Sequence, residues 1–234
     1  MNEKISVALA SYNGQEYIKQ QVETILANLK PQDELIISDD GSTDNTIQVI
    51  QEISDSRIKI INGPKKGVIA NFENAIRKCS GDYIFLADQD DIWEANKVSK
   101  VLETFHHENC QCIVHDALVV NGDATKVVLD SFFDFRKSKS GFLKNILKNS
   151  YIGCCMAFTS NMKQYILPIP TDMGKVYHDQ WIGLICEKHG KPVFIKDKLI
   201  KYRRHDNNQS NMHRYSIKEM LQNRFYLIKK LSKR

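Results

Sequence analysis

Nothing in this chain approaches the roughly 20 consecutive apolar residues that a helix needs to cross a bilayer, so no spanning segment is expected. The opening residues, MNEKISVALASYNG, carry no long apolar run behind their charges and do not read as a secretory signal. No pair among Cys79, Cys110, Cys112, Cys154, Cys155 and Cys186 has the C-x-x-C spacing of a zinc site or a thioredoxin-like motif. Most of these cysteines sit in apolar stretches, where a free thiol behaves as a small hydrophobe, so the chain reads as a reduced cytoplasmic protein with buried structural cysteines. Glycine is sparse, 11 in 234 residues. No G-x-G-x-x-G follows a candidate strand and no Walker A sequence occurs, which speaks against a dinucleotide dehydrogenase or a P-loop nucleotidase. Internal repeats, low-complexity tracts and clear linkers are missing too. The basic excess, 33 Lys and Arg against 28 Asp and Glu, is small and mostly scattered, so nucleic acid is not an expected partner.

What is present is an alternation of two periods. ISVALAS (5–11) reads as an apolar strand, and Ile18, Val22, Ile25 and Leu29 follow at helical spacing with Pro31 beyond them. ELIISDD (34–40), RIKIING (57–63) and DYIFLAD (82–88) read as further strands, separated by helices that carry Ile47, Ile50 and Ile53, then Ile69, Phe72 and Ile76. Thr43 or Asp44 is placed to cap the first of these two helices. CIVHDALVVNGD, YIGCCMAFT, PVFIK and LIKYRRH read as strands of a less regular second half, and HDQWIGLICEKHG as a helix ending at Gly190. Such alternation predicts an α/β fold of three layers, a mostly parallel central sheet flanked by helices. Ligands of such sheets bind beyond the carboxyl ends of the strands. Those ends carry Ser11-Tyr12-Asn13, Asp39-Asp40 and Asp88-Gln89-Asp90-Asp91.

The last of these segments poses an electrostatic problem. In FLADQDDIW (85–93) an apolar run ends on three carboxylates, Asp88, Asp90 and Asp91. Burying carboxylates together costs several kcal/mol each unless positive charge offsets it, and no run of Lys or Arg lies beside them in the sequence. A hard divalent cation accounts for the pattern. Mg²⁺ or Mn²⁺ often takes only one or two protein carboxylates, with phosphates and water completing the shell. Asp88-Gln89-Asp90 therefore suggests a metal–diphosphate site, against the plainer reading of a solvated turn whose aspartates cap a helix. In SDDGSTDNT (38–46), Gly41 permits a tight turn, and a carboxylate before it could accept hydrogen bonds from a base or a ribose.

Taken together, ALASYNGQEYI, ELIISDDGSTDNT, GVIANFENAI, GDYIFLADQDDIW and HDQW resemble the family 2 glycosyltransferases of GT-A fold, and within them the bacterial rhamnosyltransferase-like branch. The resemblance runs over about residues 4–210, leaving a transferase domain at 1–214 and a basic amphipathic helix at 215–234. It implies an inverting transfer of a sugar from a nucleoside diphosphate, dTDP-rhamnose or a UDP-hexose, to a hydroxyl of a saccharide acceptor in bacterial cell-surface polysaccharide synthesis. It also implies roles: Ala10, Ser11, Tyr12, Asn13, Asp39, Asp88 and Gln89 at the donor, Asp90 on a Mn²⁺ or Mg²⁺ ion, and Asp179 as general base. Asp91 and Trp93 fall on its acceptor side. His178 either meets the acceptor or packs at a helix start, and Gly153 either lets an acceptor approach the backbone or serves close packing. In YRRHDNNQS (202–210), His205 could ligate the metal and Arg203 or Arg204 could neutralise phosphate. Lys66 is a further donor contact.

The tail SIKEMLQNRFYLIKKLSKR aligns Ile217, Leu221, Phe225, Ile228 and Leu231 along one helical face, with six basic residues and one acid around it. Such a helix suits an anionic membrane surface, as a peripheral protein on the inner face of the cell membrane using a polyprenyl-diphosphate-linked acceptor would need. The other reading packs it on its own domain or on the partner of a homodimer. Two further functions stay open at this level. A nucleotidyltransferase of sugar-nucleotide synthesis is opposed by the absence of a Gly-rich basic loop after the first strand. A non-catalytic nucleotide-sugar-binding module is opposed by the intact acidic set.

Overall fold

The runs ISVALAS, ELIISD and YIFLAD are buried on both faces of the sheet, as near-continuous apolar strands require, while the edge strand IKIIN is only partly covered. In the computed structural model, which describes residues 3–171, 176–205 and 217–234, the chain runs β1 (Ile5–Ser11), α1 (Ile18–Leu26), β2 (Glu34–Asp39), α2 (Thr46–Glu52), β3 (Ile58–Asn62), α3 (Val68–Lys78) and β4 (Tyr83–Asp88). It continues through β5 (Ile92–Trp93), α4 (Lys97–Glu108), β6 (Cys112–Asn121), β7 (Val127–Leu129), α5 (Phe132–Arg136), α6 (Phe142–Leu147) and β8 (Met156–Thr159). The last elements are α7 (Lys163–Ile166), α8 (His178–His189), β9 (Pro192–Arg204) and α9 (Ile217–Leu231).

The strands join one sheet in the order β3-β2-β1-β4-β8-β6-β9-β5, with β7 beside β6. Its first four strands are parallel, and their register sets the site: Ser11 pairs with Asp39, and Ala10 with Asp88. Three polar strand ends therefore stand level at one edge. Beyond β4 the sheet is mixed, since β8 is antiparallel to both β4 and β6 while β9 is parallel to β6. The expectation of a mostly parallel sheet thus holds for the first half and is corrected in the second.

Two strands expected from PVFIK and LIKYRRH are one, β9. Its polar Lys196-Asp197 break is absorbed as a bulge, because Ile195 pairs with His115 and Lys198 with the next residue, Asp116. YIGCCMAFT is a strand only from Met156 onward, and Gly153–Cys155 form a single 3₁₀ turn before it. Asp44 does not cap α2 at the position just before it; its carboxylate takes the Thr46 amide at 3.0 Å. One apolar core spans both halves of the sheet and includes Leu227 and Leu231 of α9.

Candidate active site at the strand ends

The loops after β1 and β2 are laced into one ledge. Asn13, held at a φ of 49°, donates from its amide to Ser42 Oγ (2.9 Å) and accepts from the Thr43 amide (2.8 Å). Gln89 clamps the same ledge to the acidic turn: its Oε1 accepts from the Tyr12 amide at 2.8 Å and its Nε2 donates to the Tyr12 carbonyl at 3.0 Å. A Cβ at Gly14 would stand 2.4 Å from Gln89 Oε1, so a side chain there would push this clamp aside. Tyr12 is left 52% exposed above the ledge, while Ala10 and Ser11 are buried beneath it.

Asp39, expected at the base or ribose, has its acceptor sites filled from within. Ser11 Oγ donates to it at 2.9 Å, the Gly41 and Ser42 amides at 3.1 and 2.7 Å, and Ser42 Oγ at 2.6 Å. Asp40 takes the Lys65 and Gly67 amides (2.7 and 2.8 Å), which pins the turn bearing Lys66, whose side chain lies in solvent.

The acidic turn is neutralised in part, three acids against two bases, from places the local sequence did not reveal. Lys97, at the start of α4, is fully buried; its ammonium donates to the Cys154 carbonyl at 2.8 Å and lies 3.9 Å above the Trp93 ring. Burial lowers its pKa to about 8, with Asp91 and Asp88 among the charges that hold it up. Arg203, near the end of β9, is also buried. It donates from its amide to Asp91 Oδ1 (3.1 Å), and from its guanidinium to the Asp90 carbonyl (2.7 Å), the Gly122 carbonyl (2.8 Å) and Gln20 Oε1 (2.6 Å). The guanidinium is thereby committed to the protein. Arg204, its neighbour on the alternate face, stands 6.0 Å from the Tyr202 ring.

Two acceptor-side expectations are corrected by burial. Asp91 has no exposed surface, so it faces the interior beside Asp88, and burial followed by the charge of Asp90 raises its pKa to about 7. Trp93 is buried beneath Lys97. Neither side chain is open to an acceptor. Asp88 is the most open of the three acids, and Gln21 Nε2 holds its carbonyl at 2.6 Å. Its carboxyl is pushed well above the ordinary range by burial, then by Asp90, Asp91 and Asp179.

Asp90 and His205, the expected metal ligands, meet: Asp90 Oδ2 lies 2.8 Å from His205 Nε2. The imidazole stacks on Tyr17, ring centroids 4.7 Å apart, and the Arg203 guanidinium covers the same ring at 4.9 Å. One oxygen and one nitrogen converging beside excess negative charge fit a divalent ion that takes its other ligands from phosphate and water. Asp88, Asp91 and Cys154 also place ligand atoms within 4.8 Å of one another. That trio includes a thiol and a wholly buried acid, a poor match for a hard ion that must meet a diphosphate. Residues 206–210 of the predicted closing motif lie outside the described residues.

Asp179 stands in the first turn of α8, where a carboxylate suits the helix dipole. Burial raises its pKa to about 6, opposed by the Gln180 amide at 2.6 Å and by Asn149 Nδ2 at 3.4 Å. His178 is the packing histidine of the two alternatives. It is 7% exposed, stacks on Phe72 with centroids 3.9 Å apart, and finds no hydrogen-bond partner for either ring nitrogen among the described residues. Burial drives its pKa down to about 3, so the ring is neutral. Gly153 fits the close-packing reading: a Cβ there would stand 2.6 Å from His178 Nε2.

Sequence reasoning missed Lys97, Tyr17, Gln21 and Asn149. Two of these left a trace. Lys97 lies on the apolar stripe of Val101 and Phe105, and Gln21 on that of Ile18 and Ile25; a polar residue on a buried stripe signals a partner inside.

The sequence model of "Glycosyl transferase family 2" matches residues 6–167. The chain is 31% identical over 153 residues to the UDP-Glc:alpha-D-GlcNAc-diphosphoundecaprenol beta-1,3-glucosyltransferase WfgD of Escherichia coli, covering 64% of this chain and 57% of WfgD. It is 27% identical over 218 residues to the dTDP-rhamnosyl transferase RfbG of Shigella flexneri, covering 86% and 73%. Among solved structures, S. aureus TarS 1-349 in complex with UDP-GlcNAc superposes with a TM-score of 0.74 at 15% identity, covering 94% of this chain and 64% of TarS. The mannosyltransferase PcManGT from Pyrobaculum calidifontis, in complex with GDP-Man and Mn²⁺, gives 0.67 at 14% identity, covering 88% and 59%. These likenesses give the fold, GT-A.

Proposed function

Since the chain belongs to glycosyl transferase family 2, we propose that it acts in polysaccharide synthesis, transferring a sugar from a nucleoside diphosphate to a saccharide hydroxyl with inversion and using Asp179 as base. The observation that carries this reading is geometric. The 3₁₀ turn Gly153–Cys155 sets the Cys154 thiol within 4.8 Å of an Asp88 carboxylate oxygen and its Gly153 against His178, the neighbour of Asp179, so one turn links the two acids. One carboxyl stands at the donor end of the parallel strands and the other on the acceptor side.

Asp90 and His205 would hold Mn²⁺ or Mg²⁺, which neutralises the charge that grows on the departing diphosphate. Tyr12 offers an exposed ring to the base, and the turn bearing Lys66 lies beside the ledge. Arg204 is the arginine this reading assigns to phosphate. Asp179 accepts the proton of the acceptor hydroxyl as its oxygen bonds to the anomeric carbon; the bond from that carbon to the diphosphate oxygen breaks on the opposite face. The names of WfgD and RfbG support UDP-glucose or dTDP-rhamnose as donor, and WfgD supports an acceptor carried on a polyprenyl diphosphate. Work on such an acceptor would keep the protein on the cytoplasmic side of the cell membrane. No helix among the described residues is long and apolar enough to cross one.

Thermal unfolding with UDP, dTDP and GDP, each with Mn²⁺ and with chelator, tests the donor half. A ligand at 100 times its Kd adds about 2.7 kcal/mol, or roughly 5–10 °C for a chain of this size. That rise should vanish with chelator and survive in Asp179→Asn, which loses transfer by a factor of about 10²–10⁴. Transfer near the wild-type rate in Asp179→Asn would remove the base assignment.

A further inference from the structure

Of the face its sequence aligned, the tail helix buries Leu231, joined by Leu227 from beside it, and leaves Leu221, Phe225 and Ile228 outside. Leu227 and Leu231 pack into the core, and Lys188 Nζ donates to the carbonyls of Leu231 and Arg234. Leu221, Phe225 and Ile228 form the next row round α9, and they are exposed, Phe225 by 64%. α6 packs beside α9, with Arg224 donating to the Leu147 carbonyl at 2.5 Å. It exposes its own row, Leu143 by 75% and Leu147 by 61%. Between the two helices an apolar groove of about 390 Å³, lined by Phe142, Ile146, Ile228 and Leu231, joins the rows into one surface.

The charge around that surface is mainly basic, with Glu187 and Lys188 together at the groove itself. Residues 132–149 hold five basic side chains against one acid, and residues 217–234 six against one. Lys148 follows Lys144 along α6, and Lys229 lies one turn on from Phe225; Lys148 and Lys229 are exposed. Protruding aliphatic and aromatic side chains set among lysines match an anionic lipid surface, where rings and leucines enter the acyl boundary and the ammonium groups stay with the headgroups. A second copy of the chain fits less well, because a two-fold contact here would set two basic patches against each other.

We propose that the α6–α9 face docks the protein on an anionic phospholipid surface. Docking there has a consequence for the transferase reading, and this part rests on that reading. Leu147 is two residues from Asn149, whose amide reaches Asp179. A bilayer held against α6 therefore presents a lipid-linked acceptor beside the base.

Flotation of the full chain with phosphatidylcholine vesicles, and with vesicles of equal parts phosphatidylcholine and phosphatidylglycerol, tests the docking. Binding should need the anionic lipid and weaken with salt. Phe225→Ser with Leu221→Ser should lower it at least tenfold, and Lys229→Glu at least about fivefold. Both sites are exposed, so the variants should keep the wild-type near-UV dichroism. The proposal is overturned by absence of flotation at low salt, by variants that bind as wild type, or by light scattering that shows a dimer lost in Phe225→Ser, which would give the face to a second copy. Nucleotide-dependent thermal shift on the same samples separates the two readings. A shift without flotation removes docking alone, and flotation without a shift removes the transferase reading alone.

Discussion

At the scale of single residues, Asp179 sets opposing demands on stability and activity. Its folded pKa, about 6, lies above the ordinary 3.8. Below about pH 4 the group is protonated in both states and costs nothing. As pH rises through 6 the folded chain must carry a buried carboxylate, so the stability this group allows is lost over that window. Asp179→Asn should therefore melt higher than wild type at about pH 8, by roughly 1–3 kcal/mol, and converge with it at about pH 4. Activity should run the other way, rising about tenfold per pH unit up to 6 and then levelling, because only the ionised form takes a proton. A flat pH–rate profile below 6 would contradict the base role. Gly153 makes a sharper case. The methyl of Gly153→Ala meets the ring of His178, which is pinned between that glycine and Phe72. A loss of about 1–3 kcal/mol is expected from overpacking, read as a lower melting temperature. A fall in kcat should accompany it, because the displaced residue adjoins Asp179.

At the scale of elements, the acidic turn rests on the start of α4 and the end of β9. Lys97 and Arg203 bring positive charge under a turn whose own neighbourhood supplies none. If Lys97 serves as counter-charge, Lys97→Met should cost about 3 kcal/mol, and adding Asp91→Asn should return much of it. Additive losses in denaturant unfolding would instead make the lysine a mere tether for the Cys154 carbonyl. These elements also show what the sequence could and could not disclose. β1, β2 and β4 were legible because a two-sided buried strand leaves an unbroken apolar run ending on polar residues. β9 was misread as two strands because Lys196-Asp197 mimics a turn, and a bulge is decided by the partner strand. Asp88, Asp90 and Asp179 were singled out by motif order through the resemblance. The inward turn of Asp91 and Trp93 was not legible, because it depends on Lys97 and Arg203 arriving from elsewhere.

At the scale of the whole molecule, one sheet carries a parallel half, which the proposed function gives to the donor, and a mixed half, which it gives to the acceptor, with β4 at the seam. The core is continuous across that seam, so unfolding should be cooperative over both halves. The exception is α9, which sends Leu227 and Leu231 inward while leaving its next apolar row in solvent. Hydrogen exchange should show α9 amides opening at a far lower free energy than those of β1, β2 and β4; equal protection would make the tail an integral part of the core.

The ledge at the carboxyl edge has a thermodynamic consequence. Asp39 is already satisfied by Ser11, Gly41 and Ser42. A nucleoside that bonds to it gains one contact by evicting another, so the swap itself releases little heat. Selectivity at that position then comes from how closely the incoming group copies the departing hydroxyl or amide. A calorimeter would register it as differences among small enthalpies.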